Sequence, residues 1–193
     1  YHSVVRDVRK THRNALMGLL MNVIQTIIFV GAFYFMFTLI GVRGAGIYQA
    51  DFMLYLMSGI FLFLTHTKAV GAVFGSEGPT SAMMKHAPMN TAIAIASSAL
   101  SALYLQVLSA ALILFFVHVV WHPVEIYKPI PTIGMFLLAW FSGVAVGMVF
   151  LALKPWLPGL AGTLQMVYSR ANMIASGKMF VANTMPGYIL SFF

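Results

Sequence analysis

Few side chains in this sequence can do chemistry, and their spacing limits what that chemistry is. The chain has no cysteine, six histidines and four carboxylates, Asp7, Asp51, Glu77 and Glu125. The missing thiols exclude disulfides, thiolate metal sites and a cysteine nucleophile. His66, His118 and His122 are the histidines best placed for haem or a metal. On a helical reading His66 stands about 12 Å inside one end of its apolar run, while the other two lie at the opposite end of the next, a depth difference of roughly 15–20 Å. That is too far to share one iron or zinc. Hydrogen-bonded histidines near helix ends are the plainer reading.

A phosphate-binding loop needs a glycine-rich turn closing on Gly-Lys-Ser/Thr. The nearest candidate, Gly75-Ser76-Glu77-Gly78-Pro79-Thr80-Ser81, lacks the lysine and carries a glutamate that repels phosphate. If ATP drives this protein, another chain binds it. An intramembrane protease needs an activated serine or two aspartates inside spans. Ser58-Gly59 and Ser142-Gly143 lack the extra flanking glycine of a rhomboid-like nucleophile, and Asp7 and Asp51 fall outside the apolar runs. Lys68 and Arg170 are charges within apolar sequence. Such charges either serve a function or reach the interface along their aliphatic stems, and both readings stand. Glu77 with Lys85 reads equally as a functional pair or a solvated one.

Long apolar elements must position these residues. Hydrophobic residues make up 61% of the 193 and charged residues 8%, against about 45–50% and about 25% in soluble domains. The mean hydropathy is +0.90. So little polar surface argues against a soluble enzyme and against disorder. The fold class expected is all-α, a polytopic membrane helix bundle.

No Asp, Glu, Lys or Arg interrupts the sequence between Arg13 and Arg43, between Lys85 and Glu125, or between Lys128 and Lys154. A helix needs about 20 apolar residues to cross the hydrocarbon core. Spans are therefore expected at about 17–42, 91–120 and 130–153. Two further spans, about 52–74 and 156–175, contain Lys68 and Arg170 respectively. Residues 1–15 differ: Val4, Val5 and Val8 share one helical face, and Arg6, Arg9, Lys10 and Arg13 share the other. That pattern predicts an amphipathic helix lying in the headgroup region.

Lys and Arg concentrate on cytoplasmic loops. Four of the 11 basic residues lie in the first 13 positions, with Lys85 and Lys154 on loops of the same side. The N-terminus is thus expected to be cytoplasmic. The net charge of +7 is a topology signal, and no nucleic-acid partner is implied. Trp156, in the Pro-rich corner Lys154-Pro155-Trp156-Leu157-Pro158-Gly159, belongs at the membrane interface.

Packing signals fall inside the spans. Gly143-x-x-x-Gly147 permits close helix approach, as do Ala94, Ser98 and Ala102. Asn22, Gln25, Phe29 and Phe33 form a mixed stripe on the first span. Amides avoid lipid, so the stripe is either a channel face with amide and aromatic contacts suited to sugars or a helix–helix interface.

The order of parts resembles the permease subunit of type-2 ABC exporters, in particular those moving capsular polysaccharide or O-antigen in bacteria. The basic entry helix Val4-Val5-Arg6-Asp7-Val8-Arg9-Lys10 leads to Met17-Gly18-Leu19-Leu20, similar to the family's Leu-Gly step. Met57-Ser58-Gly59-Ile60-Phe61, Met83-Met84-Lys85-His86-Ala87-Pro88-Met89, and Ala175-Ser176-Gly177-Lys178-Met179-Phe180 through Met185-Pro186 match further short, degenerate motifs. The likeness covers the whole chain in architecture more than in invariant residues. Family members have six spans, so five spans and an outer re-entrant segment at 176–193 imply a sixth beyond Phe193. Arg170 departs from the family's uncharged fifth span.

The resemblance implies a transport permease and no enzyme, with no cofactor and no metal. Two permease chains form a homodimeric channel in the bacterial inner membrane, and two separate ABC ATPase subunits dock beneath. The loop 75–90 supplies the coupling helix, with Glu77, Met83, Met84, Lys85 and His86 as contacts. The interfacial row Arg6, Arg9, Lys10 and Arg13 meets lipid headgroups. A lipid-linked glycan passes along Asn22, Gln25, Phe29, Phe33 and Tyr104. A type-2 permease for a drug or lipid, a membrane-embedded enzyme and a non-catalytic subunit of another membrane complex remain as alternatives.

Overall fold

The computed structural model describes residues 15–40, 52–76, 90–120 and 128–176. It contains five helices among these residues: α1 (Ala15–Ile40), α2 (Phe52–Phe74), α3 (Thr91–Val120), α4 (Pro129–Leu153) and α5 (Pro158–Ala175). Helices are the required form, because hydrocarbon offers no hydrogen-bond partner to a backbone that does not satisfy itself. The first four are long and apolar enough to cross a membrane. The shortest of them, with 23 residues, reaches about 34 Å at 1.5 Å per residue, against a hydrocarbon core of about 30 Å.

The expected spans 52–74 and 91–120 coincide with α2 and α3. Lys68 does not interrupt α2. The expected start of the fifth span at 156 moves to Pro158, because Lys154 to Leu157 form a turn rather than a helix. Pro158 opens α5 at the one place where a missing N–H costs nothing. α4 begins in the same way, with Pro129 and Pro131 in its first turn and the Thr132 hydroxyl donating to the Lys128 carbonyl at 2.8 Å. At 18 residues and with a more polar composition, α5 is not among the helices long and apolar enough to span. The interfacial helix 1–15, apart from Ala15 at the start of α1, lies outside the described residues. So do 41 and 42 of the first span, 77–89 of the coupling loop and 177–193 of the outer segment.

α2 is the centre of the bundle. More than half of its apolar window is buried, 56%, against 22% for α1 and 17% each for α3 and α4. It packs against α1, α3 and α4. Against α1 and α3 it builds an apolar cluster of Val30, Phe33, Phe37, Met57, Ile60, Phe61, Phe63 and Ile113. Phe37 meets Phe52 edge-to-face at 5.6 Å. Against α4 the contact is made by small residues. A β-carbon added to Gly147 would lie 2.8 Å from Val73 Cβ and 3.0 Å from the Val70 carbonyl. A second cluster of Val73, Ala99 and Leu151 joins α2, α3 and α4 near one end of the bundle. There the Lys154 ammonium reaches the last carbonyl of α2, Phe74, at 3.4 Å and lies 5.1 Å from the Phe74 ring centroid. A cation is favourable at that negative helix end.

One packing expectation shifts. The buried small residues of α3 are Ala94, Ser97, Ala99, Ser101, Ser109 and Ala110, while Ser98 and Ala102 are half-buried. Ser97 and Ser101 turn their hydroxyls back onto the carbonyls of Ala94 and Ser97. Outward faces carry large apolar side chains, among them Ile28, Phe35, Leu39, Phe116, Ile130 and Leu138. Such continuous exposed apolar surface suits lipid or a partner chain.

Candidate functional site

Polar side chains inside the bundle gather in three places, each on a junction with a different neighbour. The first joins α1 to α3. Asn22 is buried, and its amide donates to the Ser109 hydroxyl at 2.8 Å, and to Gln106 Oε1 and the Leu105 carbonyl at 3.3 Å each. Ser109 in turn donates to the Leu105 carbonyl at 2.7 Å, one turn back. Thr26, one turn on from Asn22, is buried and donates to the Asn22 carbonyl. Asn22 Oδ1 and Gln106 Nε2 are buried with no partner among the described residues.

The second place joins α1 to α2. The Lys68 ammonium donates to Gln25 Oε1. The ammonium is aimed across to the neighbouring helix rather than along its own helix to the interface. All four carboxylates of the chain fall outside the described residues, so a neutral amide is the partner seen for this cation.

The third joins α2 to α4 and α5. His66 lies mid-helix on α2. Its Nδ1 is 2.9 Å from Ser142 Oγ on α4, and its Nε2 is 2.9 Å from the Tyr168 hydroxyl on α5. Ser142 donates its own proton to the Ala139 carbonyl at 2.9 Å. These contacts fit a ring that carries its proton on Nδ1 and donates to Ser142, with Nε2 accepting from Tyr168. Tyr168 is also packed on Phe150 of α4, ring centroids 5.5 Å apart.

The sequence-derived candidates divide as follows. Asn22 and Phe33 are buried in the chain's own helix interfaces. Phe29 is half-buried, 5.9 Å from the Phe33 ring and 6.3 Å from Phe63. Gln25 is exposed apart from its bond to Lys68, and Tyr104 points away from the bundle with 58% of its surface exposed. The five channel candidates therefore do not form one continuous face of a single chain. Trp156 is 84% exposed beyond the end of α4. Glu77, Met83, Met84, Lys85, His86, Arg6, Arg9, Lys10 and Arg13 lie outside the described residues. Arg170 is exposed on α5. Among the described residues no three His, Asp or Glu side chains converge on a metal position.

Gln106, Ser109 and Tyr168 are site residues that spacing along the chain did not single out, and Ser142 stands out there only beside Gly143, not as a partner of His66. Gln106 carried a usable signal, because it is the one amide within the span 91–120 and a buried Asn22 needs a partner. Tyr168 carried none, because hydroxyls occur throughout these spans. Comparison with protein-family models, with curated proteins and with solved structures returned no match.

Proposed function

We propose that this chain is the membrane-spanning permease subunit of an ATP-driven exporter of lipid-linked polysaccharide, of the capsule or O-antigen type, in the bacterial inner membrane with its N-terminus cytoplasmic. The observation that carries the reading is the central place of α2. The segment that follows it, 75–90, is the longest loop expected on the cytoplasmic side. α2 is wedged against α4 at two glycines and against α1 and α3 by a cluster of aromatic and aliphatic side chains. Close-packed interfaces transmit displacement instead of absorbing it. A push on the 75–90 loop by an ATPase would thus reach three neighbouring helices at once.

On this reading two copies of the chain face one another, and two ATPase chains bind the loops through Glu77, Met83, Met84, Lys85 and His86. Nucleotide binding moves α2 and reorients the bundle between inward and outward states. Gln25, Phe29 and Tyr104, which keep surface outside the protomer's own core, contribute amide and aromatic contacts to the glycan. The remaining polar groups of α1 hold the protomer together.

The test is co-purification followed by reconstitution. The chain should purify with an ATPase subunit, and replacing Met84, Lys85 and His86 together by alanine should reduce that association while the thermal midpoint of the chain stays put. Purification with no ATPase partner under mild detergent would sink the reading.

A further inference from the structure

We infer that α5 is a hinged arm, fastened to the body of the bundle by the hydrogen bond from the Tyr168 hydroxyl to His66 Nε2. Three observations place the hinge and the fastener. The hinge is the corner before α5, where Pro155 and Pro158 limit the backbone. There the N–H groups of Trp156 and Leu157 both reach the Leu153 carbonyl, at 3.2 and 3.0 Å. Just past it Ala161 is fully buried, and no other α5 side chain described is buried. That contact anchors the base of the arm.

Beyond Ala161 the arm meets the body through the Tyr168 ring on Phe150 and through few other side chains. Gln165 and Ser169 spend their hydrogen bonds on each other and on their own helix. Thr163 and Ser176 likewise bond back to their own helix. Met173 touches the edge of the apolar cluster while remaining half-exposed. Among the described residues, the one hydrogen bond between α5 and another helix is that of Tyr168 with His66. It is made halfway along the arm, where its loss frees the distal half and leaves the base in place. Ser142 Oγ lies 2.9 Å from Nδ1, a contact that fits a ring with its proton on Nδ1 and its acceptor Nε2 facing α5. Interhelical hydrogen bonds in a bilayer are of modest strength, so the open arrangement is a populated minor state rather than an unfolded one. Opening carries Arg170, two residues past the fastener, away from α2. The device belongs to the bundle itself and stands or falls separately from the transport reading.

The chain has no cysteine, so introduced pairs carry spin labels without background. Tyr55→Cys with Ile174→Cys reports the distal arm, and Met148→Cys with Leu160→Cys reports its base. All four positions are exposed. In lipid nanodiscs each pair in the otherwise unaltered full chain should give one dominant distance. Tyr168→Phe keeps the ring on Phe150 and removes the hydroxyl. It should add a second, longer distance at 55/174 and leave 148/160 unchanged. His66→Leu should do the same, and His66→Gln, whose carbonyl can accept from Tyr168, should restore the single distance. An unchanged 55/174 distance in both Tyr168→Phe and His66→Leu would overturn the inference. So would His66→Gln behaving as His66→Leu, or both pairs widening together.

Discussion

A β-carbon on Gly143 of α4 would stand 2.5 Å from the carbonyl oxygen of His66 on α2, and 2.8 Å from Ala69 Cβ. Backbone has no room to give there. Gly143→Ala must therefore force the two helices apart, at a cost of about 1–3 kcal/mol. Gly147→Ala, against Val73 and Val70, should behave alike. Gly134→Ala lies on the same helix with nothing within 4 Å of the added carbon. It should be neutral or stabilising by up to about 1 kcal/mol from helix propensity. Unfolding in mixed micelles measures all three, and a Gly134→Ala loss equal to that of Gly143→Ala would count against a close α2–α4 contact.

The buried amide of Asn22 tests the α1–α3 junction. Asn22→Leu leaves Gln106 Oε1 without its donor, and the expected loss is about 1–2 kcal/mol. Replacing both residues, Asn22→Leu with Gln106→Leu, removes the stranded amide and should recover most of it. A double-mutant cycle on unfolding free energies reads the coupling. Strict additivity would show that the two side chains do not meet.

Lys68 and Gln25 should couple in the same manner and with the opposite asymmetry. Gln25→Leu strands an ammonium in apolar surroundings, whereas Lys68→Met removes the need for a partner. Gln25→Leu should therefore destabilise the chain with Lys68 present and have little effect in the Lys68→Met background, a coupling of about 0.5–3 kcal/mol. Equal effects of Gln25→Leu in the two backgrounds would refute the contact.

Trp140 fastens α4 to α3 by donating its indole N–H to the Ala99 carbonyl at 2.9 Å. Trp140→Phe keeps most of the ring and loses that bond, for an expected loss of about 1 kcal/mol. Trp156→Phe, at an exposed indole, should change the unfolding free energy far less. Circular dichroism during denaturant titration distinguishes the two.

Much of the fold was legible along the chain because its cause is local. Hydrocarbon thickness sets how long an apolar run must be, and charges mark where it ends. The bounds of α2 and α3 follow from that alone, whereas the fifth helix starts at Pro158 and not at the expected 156. Gly143 and Gly147 were legible as well, because one-turn spacing of small residues is itself the packing signal. The functional candidates were less legible. Asn22, Gln25, Phe29 and Phe33 share spacing but not surroundings: Asn22 meets α3, Gln25 meets Lys68, and Phe33 enters the apolar cluster.

The sequence by itself determined that the chain is a bundle of long apolar helices with its cations gathered toward one expected side. Only the tertiary structure decided which polar groups find each other. Asn22 and Ser109 are 87 positions apart, and His66 and Tyr168 are 102 apart. Such pairs depend on helix order and on the rotation of each helix about its own axis. Periodicity shows that a helix has a polar stripe, but not which neighbour the stripe faces. In a solvent without hydrogen-bond partners those rotations are set by the requirement that each buried polar group meet another. At Asn22 and His66 that requirement is met between helices, while Thr26 and Thr65 meet it on their own helix.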